Sequence, residues 1–463
     1  MSKPNRPNIL LIMTDMHRYD VLGCMGNPDV RTPNLDRLAA EGVVFENAYT
    51  TYPLCVPARR ALLTGKDTRR DRQSSIATEE WNFVRHLRSA GYRTGLSGKL
   101  HAYPEMIPEL GFDFIEVAEH CIGQKGVFVD DHYHKWVNAC GRRDRQEEWQ
   151  FPTEFPKSPP EFQRNLQAQI FPYEDEYHST SWTASRAVDF LKNASGDKPY
   201  FLKVSFLKPH HPYNPLARYA AMYDPDRLTL PATWTNRGFL DLMPGSVRRA
   251  LTTRMAHINY DLSFLDEKLL RKVTAYYYAT VTHLDDAIGE LLKHVDRENA
   301  TVIFTSDHGD YLGAKGRLFK DPVCAFEELA RIPLLMSGRG VAGGRRIKAP
   351  ASLLDIAPTV LGLCLAEAPP EQTEGMDLTP VLAGKATIPD GRRVFCYSQD
   401  WIALRQGEWK YLMRYDGVEE MLFNLEDDPA ESVNLAGRPE TDLARQGLRA
   451  TTKRELAVKE ERT

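Results

Sequence analysis

Asn8-Ile9-Leu10-Leu11-Ile12-Met13 is an apolar run that ends in Thr14-Asp15-Met16-His17. Near-continuous apolar strands belong to sheets covered on both faces, and such sheets are mainly parallel. Working outward, the same pattern recurs. Gly91 to Leu96 leads to Ser97-Gly98-Lys99-Leu100-His101. Pro199 to Phe206 leads to Lys208-Pro209-His210-His211-Pro212, and Thr301 to Thr305 to Ser306-Asp307-His308-Gly309-Asp310. Val43 to Tyr49 and Ile332 to Met336 are further strand candidates. Helical patterns lie between them. Thr32-Pro33 should cap a helix through Glu41, with Gly42 as its stop. Glu79 to Ala90, Trp182 to Leu191, Lys268 to Val295 and Ser352 to Leu363 also read as helices. Alternating strands and helices predict an α/β domain with a mainly parallel sheet flanked by helices.

After residue 375 the character changes. Val394 to Ser398, Trp401 to Arg405, Trp409 to Arg414 and Glu420 to Asn424 read as short strands separated by turn signals such as Gln406-Gly407 and Asp416-Gly417. We therefore expect a catalytic α/β domain over 1–375. A smaller C-terminal antiparallel α+β subdomain over 376–463 should close with a polar helix. Residues 115 to 180 and 214 to 262 lack periodicity and read as long loops that carry specificity or subunit contacts.

The chain has 463 residues, 42% hydrophobic and 26% charged, and a formal net charge of −4. That composition supports a sizeable core. The small net charge argues against a general nucleic-acid or acidic-membrane binder. No segment has the length of a transmembrane helix, and Ile9 to Met13 is too short for a signal h-region. The seven cysteines show neither Cys-x-x-Cys zinc spacing nor disulfide-scaffold density. These features predict a cytoplasmic protein, in which Asn193-Ala-Ser and Asn299-Ala-Thr are chance matches to glycosylation acceptors. The long loops and the charged tail from Lys453 to Thr463 permit a homo-oligomer without requiring one.

The chemically interesting groups follow strands. In open α/β sheets ligands bind outside the carboxyl ends of the strands, so groups distant in sequence can converge there. Asp15, Asp307 and His308 are candidate ligands for one divalent cation. Carboxylate oxygens suit calcium, magnesium or manganese, and an imidazole tilts the choice toward manganese. Arg59, Lys99, His210 and Lys320 can supply charge and hydrogen bonds around an anionic ester, with Lys315 the nearest rival of Lys320 and His211 either a substrate contact or a support behind the groups that touch substrate. Trp136, Trp149, Trp182 and Tyr213 could stack on a sugar or aryl ring, or equally be core. Leu54-Cys55-Val56-Pro57-Ala58-Arg59-Arg60-Ala61-Leu62-Leu63-Thr64-Gly65 reads as a turn into a helix over Ala58 to Leu63, with Pro57 in its first turn and Thr64-Gly65 as its stop. Cys55 would lie just before the helix, where free N–H groups favour negative charge, and Arg59 adds a fixed cation one turn on. Taken alone, Cys55 reads as a nucleophile or as a buried cysteine capping a core helix.

That stretch resembles the sulfatase signature, Cys-x-Pro-x-Arg followed by Leu-Thr-Gly. The resemblance extends along nearly the whole chain. It includes Pro7-Asn8-Ile9-Leu10 to Thr14-Asp15, Arg31-Thr32-Pro33-Asn34-Leu35-Asp36-Arg37-Leu38, Gly98-Lys99-Leu100-His101, Pro209-His210-x-Pro212, Ser306-Asp307-His308-Gly309, and Leu422-Phe423-Asn424-Leu425 with Asn434-Leu435-Ala436. It implies the alkaline-phosphatase-like α/β fold and a hydrolase acting on an aryl, carbohydrate or small-alcohol sulfate. It implies that a formylglycine-generating enzyme converts Cys55 to formylglycine (3-oxoalanine), whose hydrated aldehyde attacks sulfur beside one Ca2+ or Mn2+ held by Asp15, Asp307 and His308. By the same resemblance, Arg59 holds the hydrate, and Lys99 and Lys320 grip the ester oxygens. His210 helps protonate the leaving oxygen, and His101 takes the proton that lets sulfate depart.

Two positions depart from the pattern. Met16 stands where the family carries Asp, Gln or Asn beside the metal, and a thioether is a poor ligand for a hard cation. The stretch Asp71-Arg72-Gln73-Ser74-Ser75 lacks an expected asparagine. Two alternatives are a phosphonate monoester or phosphodiester hydrolase of the same superfamily, and a non-catalytic binding protein on the same fold.

Overall fold

In the computed structural model the Asn8 run lies inside the main sheet. The structure describes residues 6–68, 76–102, 106–119, 131–143, 145–149, 159–194, 198–253, 261–321, 324–366 and 373–460. Chain order gives β1 (Asn8–Asp15), β2 (Val43–Phe45), β3 (Ala48–Tyr49), β4 (Arg93–Gly98), β5 (Phe114–Glu116), β6 (Tyr200–Pro209), β7 (Ala300–Ser306) and β8 (Arg331–Ile332). There follow β9 (Leu334–Gly338), β10 (Arg345–Ile347), β11 (Ala351–Ser352), β12 (Arg393–Tyr397), β13 (Trp401–Gln406), β14 (Trp409–Arg414) and β15 (Glu420–Asn424). Eight of them form one sheet in the order β10-β2-β9-β7-β1-β6-β4-β5. From β7 to β5 all pairings are parallel, and β9 runs against both of its neighbours.

Alternate residues of β1 serve opposite faces, as a two-residue period requires. Ile9, Leu11 and Met13 join a core with the helices Cys55–Thr64 and Ile356–Leu363. Leu10 and Ile12 join another, under the helices Pro33–Glu41, Ser179–Asn193 and Glu267–Leu292. This double cover explains why β1 reads as apolar without alternation. Among the described residues, no helix is long and apolar enough to cross a membrane.

Several expected boundaries move, each for a local reason. The expected strand Val43 to Tyr49 breaks at the Glu46-Asn47 turn, so β2 stays in the main sheet while β3 pairs with β8 and β11. The helix expected from Glu79 starts at Phe83, because the Asn82 side chain accepts the Arg85 N–H at 2.9 Å and caps it there. Thr32 does not cap its helix. Its hydroxyl donates to Asp36, and the N–H groups of Asn34 and Leu35 go instead to the Asp285 carboxylate, at 3.0 and 2.8 Å. Within the stretches expected as loops lie short helices, among them His132–Ala139, Pro160–Arg164 and Gly245–Thr252.

β12 to β15 form an antiparallel meander. One face, with Trp401, Ala403, Leu412, Met421 and Phe423, packs on Phe326, Leu329 and Val247. The other, with Ile402, Leu404, Tyr411 and Leu422, receives Leu448 of the helix Asp442–Glu460.

Candidate active site

The ends of β1, β4, β6 and β7 meet the start of the helix Cys55–Thr64, and the buried polar groups collect there. That helix begins at Cys55 itself, with Leu54 as its extended N-cap and Pro57 inside the first turn. Cys55 is thus the first helical residue rather than the one before it. Gly65 ends the helix in the left-handed region, at φ 66°, where glycine meets no Cβ penalty.

Three groups converge on the Cys55 Sγ. Lys320 Nζ lies at 2.7 Å, His308 Nε2 at 3.2 Å and Asp15 Oδ1 at 3.6 Å. Burial and the Asp15 charge push the thiol up, yet Lys320, Lys99 and His308 outweigh them and lower it below its ordinary value. Asp15 is fully buried at the end of β1. Burial would raise its carboxyl, but Lys99, His210, Arg59 and Lys320 hold it well below the usual carboxylate range. Its Oδ2 accepts from Lys99 Nζ at 2.5 Å and from Arg59 Nη2 at 3.2 Å.

Arg59 ties the site together, as a planar guanidinium with several donors can. Nε donates to Asp307 Oδ2 at 2.9 Å, and Nη1 donates to the Lys99 carbonyl at 3.0 Å and to Ser205 Oγ at 2.7 Å. Lys99 leaves β4 through Gly98, whose φ is 96° and where a Cβ would lie 2.0 Å from the Ser205 carbonyl. Only glycine fits that close approach.

Asp15, Cys55, Asp307 and His308 each offer one donor atom, all within 4.8 Å of one another. The His308 ring donates Nδ1–H to the Gly309 carbonyl at 2.9 Å, so Nε2 is the ring atom that faces the cluster. Two carboxylates and an imidazole fit a divalent cation. The Met16 side chain is no part of that set. It packs in an apolar cluster with Tyr213, Tyr277 and Phe319. Its backbone, at φ 59°, donates N–H to Asp307 Oδ1 at 3.2 Å and accepts from the Tyr277 hydroxyl at 2.5 Å.

Lys320 also reaches His210 Nε2, at 3.2 Å. His210 Nδ1 lies 2.6 Å from the His211 carbonyl, so Nδ1 carries the hydrogen and Nε2 accepts from Lys320. His211 stands behind, stacked on His210 at 4.0 Å and against Phe319 at 4.6 Å. Burial, with Lys320 and Lys208, keeps its ring neutral. His101, at φ 64°, is half-buried, and burial with Lys99 and Arg59 holds its ring well below the ordinary imidazole value. Lys315, the rival of Lys320, points elsewhere and pairs with Glu328 at 3.1 Å.

Of the aromatic candidates, Trp182 is core against Tyr133, and Tyr213 is buried with its hydroxyl on Asp310 at 2.6 Å. Trp136 stacks on Tyr177 at 5.6 Å. The Trp149 side chain and the stretch Asp71-Arg72-Gln73-Ser74-Ser75 lie outside the described residues. The sequence reading missed Ser205, Lys203 and Glu119. Their polarity inside the buried run of β6 could have pointed to the first two, and nothing local marks Glu119.

The sulfatase family model matches residues 7–365. The chain belongs to the sulfatase family. An arylsulfatase of Clostridium perfringens is 30% identical, over 98% of this chain and 95% of its own length. With such relatives the chain is of the sulfuric ester hydrolase class. Among solved structures, the phosphonate monoester hydrolase of Agrobacterium radiobacter superposes with a TM-score of 0.78 at 22% identity, over 99% of this chain and 96% of that one. A structure solved in complex with its substrate, D-glucosamine-2-N,6-O-disulfate, gives a TM-score of 0.71 at 22% identity, over 97% of this chain and 98% of that one. Both likenesses bear on the sulfatase fold, an α/β architecture of the alkaline-phosphatase-like type.

Proposed function

We propose that the chain hydrolyses a sulfate monoester to an alcohol and inorganic sulfate, through Cys55 converted to formylglycine. The observation that carries this reading is the convergence of Lys320, His308 and Asp15 on the Sγ of Cys55, at the first position of a buried helix. Formylglycine, made by a formylglycine-generating enzyme and hydrated, supplies the nucleophilic hydroxyl. A Ca2+ or Mn2+ held by Asp15, Asp307, His308 and residue 55 would neutralise the carboxylates and draw charge from the ester oxygens.

The chain's own residues do the rest. Lys99 and Lys320 receive the negative charge that builds on the sulfuryl oxygens, and being fixed and buried they need no reorganisation. Arg59 orients residue 55 and Asp307 together. His210, which accepts from Lys320 through Nε2, helps protonate the leaving alcohol oxygen by way of that ammonium. His101, kept neutral, accepts the proton that accompanies sulfate release. His211, stacked behind His210, backs the wall that faces substrate. The substrate is an aryl, carbohydrate or small-alcohol sulfate, a range consistent with the relative named arylsulfatase and the structural neighbour holding a glucosamine disulfate.

The test compares 4-nitrophenyl sulfate with an aryl phosphonate monoester on the mature enzyme. A higher kcat/KM for the sulfate is expected. A preference for the phosphonate ester would replace this reading with a phosphonate hydrolase, and activity on neither, with Cys55 still a thiol, would point to a binding protein.

A further inference from the structure

One buried carboxylate outside the groups named above bears on the reaction. Glu119 lies three residues beyond β5 and is buried. Its Oε1 accepts the N–H of Leu100 at 2.7 Å and that of His101 at 2.5 Å. The turn it holds is unusual. Gly98 and His101 both have positive φ, 96° and 64°, and a residue with a Cβ stays in that region only when its surroundings over-determine it. The Lys99 carbonyl in the same turn accepts from Arg59 Nη1 at 3.0 Å and from the buried Lys203 Nζ at 3.2 Å. Arg59 and Lys203 therefore grip the turn's carbonyl, and Glu119 grips its two N–H groups.

Glu119 is itself anchored. Its N–H donates to Asp131 Oδ2 at 2.5 Å, and Asp131 caps the helix His132–Ala139 by accepting the His134 N–H at 2.8 Å. Its Oε2 has no hydrogen-bond partner among the described residues. Burial pushes the carboxyl up to about 7, against the pull of Lys99, Arg59 and the two N–H groups. A buried carboxylate half-satisfied in this way is costly, and its partners are the backbone of one candidate catalytic residue and of that residue's neighbour.

We propose that Glu119 is a positioning residue for His101, whose left-handed backbone it locks so that the ring is presented to the reaction centre. The proposal rests on the reading of His101 as the proton acceptor in sulfate release. On that reading, loss of Glu119 slows the second half of the cycle and leaves the first, alcohol release, intact.

The experiment follows 4-nitrophenol release from 4-nitrophenyl sulfate by stopped flow, with matured wild type, Glu119→Ala, Glu119→Gln and His101→Ala. Glu119→Ala should release one equivalent at near the wild-type rate and then turn over on the order of ten- to a hundred-fold more slowly, the scale of a misplaced catalytic group. Glu119→Gln keeps an oxygen that can accept both N–H groups and should recover most of the rate. A wild-type steady state in Glu119→Ala, or equal slowing of both phases where His101→Ala keeps a fast first turnover, overturns the proposal. If His101→Ala shows no fast first turnover, the reading of His101 fails. The positioning proposal then survives only if Glu119→Ala reproduces the His101→Ala profile, and falls otherwise. Should Glu119→Ala not fold, Glu119→Asp, one methylene shorter, is read by the same criteria.

Discussion

At the scale of single residues, the two lysines five positions apart show how context assigns a role. Lys320 meets Cys55 and His210, whereas Lys315 meets Glu328 and the Ala430 carbonyl. We expect Lys320→Ala to lower kcat/KM by about 10²–10³-fold with the melting temperature little changed, as for the loss of one preorganised charge-stabilising donor. Lys315→Met should do the reverse. It leaves Glu328 with a buried, uncompensated charge and should cost about 3 kcal/mol of stability, visible in urea melts, while kcat/KM of the folded fraction stays near wild type. Exchange of these two phenotypes would move the ester-gripping role to Lys315. The sequence narrowed the choice to these two but could not make it, since both are lysines in one loop whose left-handed turns at Lys315, Gly316 and Phe319, at φ 53°, 70° and 62°, separate their directions. Met16 was legible in part. Its chemistry ruled it out as a ligand, but its use as core, with its amide on Asp307, depends on packing that no local pattern carries.

At the scale of elements, strand-end positions were legible because apolar runs followed by Asp, His or Lys mark where a covered strand reaches its functional edge. Helix starts were less so. The cap of the helix Pro33–Glu41 comes from Asp285, about 250 residues away in sequence, and no window around Thr32 contains it. Burial pushes the Asp285 carboxyl up to about 6, against the pull of the Asn34 and Leu35 N–H groups. The folded value thus exceeds the unfolded one, so the folded state binds the proton more readily. The contribution is fully present below about pH 4 and is lost as pH rises through about 6. Asp285→Asn keeps an acceptor oxygen and removes the titration. Thermal melts of this variant should show less loss of stability between pH 4 and 6 than wild type does. An unchanged difference across that window would refute the assignment.

At the scale of the molecule, the C-terminal meander joins the α/β body through a buried charge node as well as through Trp401 and Phe423. Lys410 of β14 pairs with Glu327 and with Glu431, each at 2.8 Å. Two carboxylates share one ammonium. Burial keeps Glu431 raised to about 7, while Lys410 and Arg331 overcome burial and lower Glu327. Lys410→Met would take the ammonium from Glu431 and leave Glu327 to Arg331 alone, and should destabilise by about 3–5 kcal/mol, with the meander becoming protease-sensitive. A wild-type melting temperature would show that apolar packing alone holds it. The meander's strands were readable from their turns, but the node was not, because its members come from three separated segments. The proposed chemistry depends on residue 55. The most direct test is the mass of the peptide containing Cys55, from protein made in its own host. Formylglycine replaces one sulfur and two hydrogens by one oxygen, and that change is the expected result. An unmodified Cys55 in protein that still hydrolyses sulfate esters would contradict the mechanism and move catalysis to a thiolate or to another nucleophile.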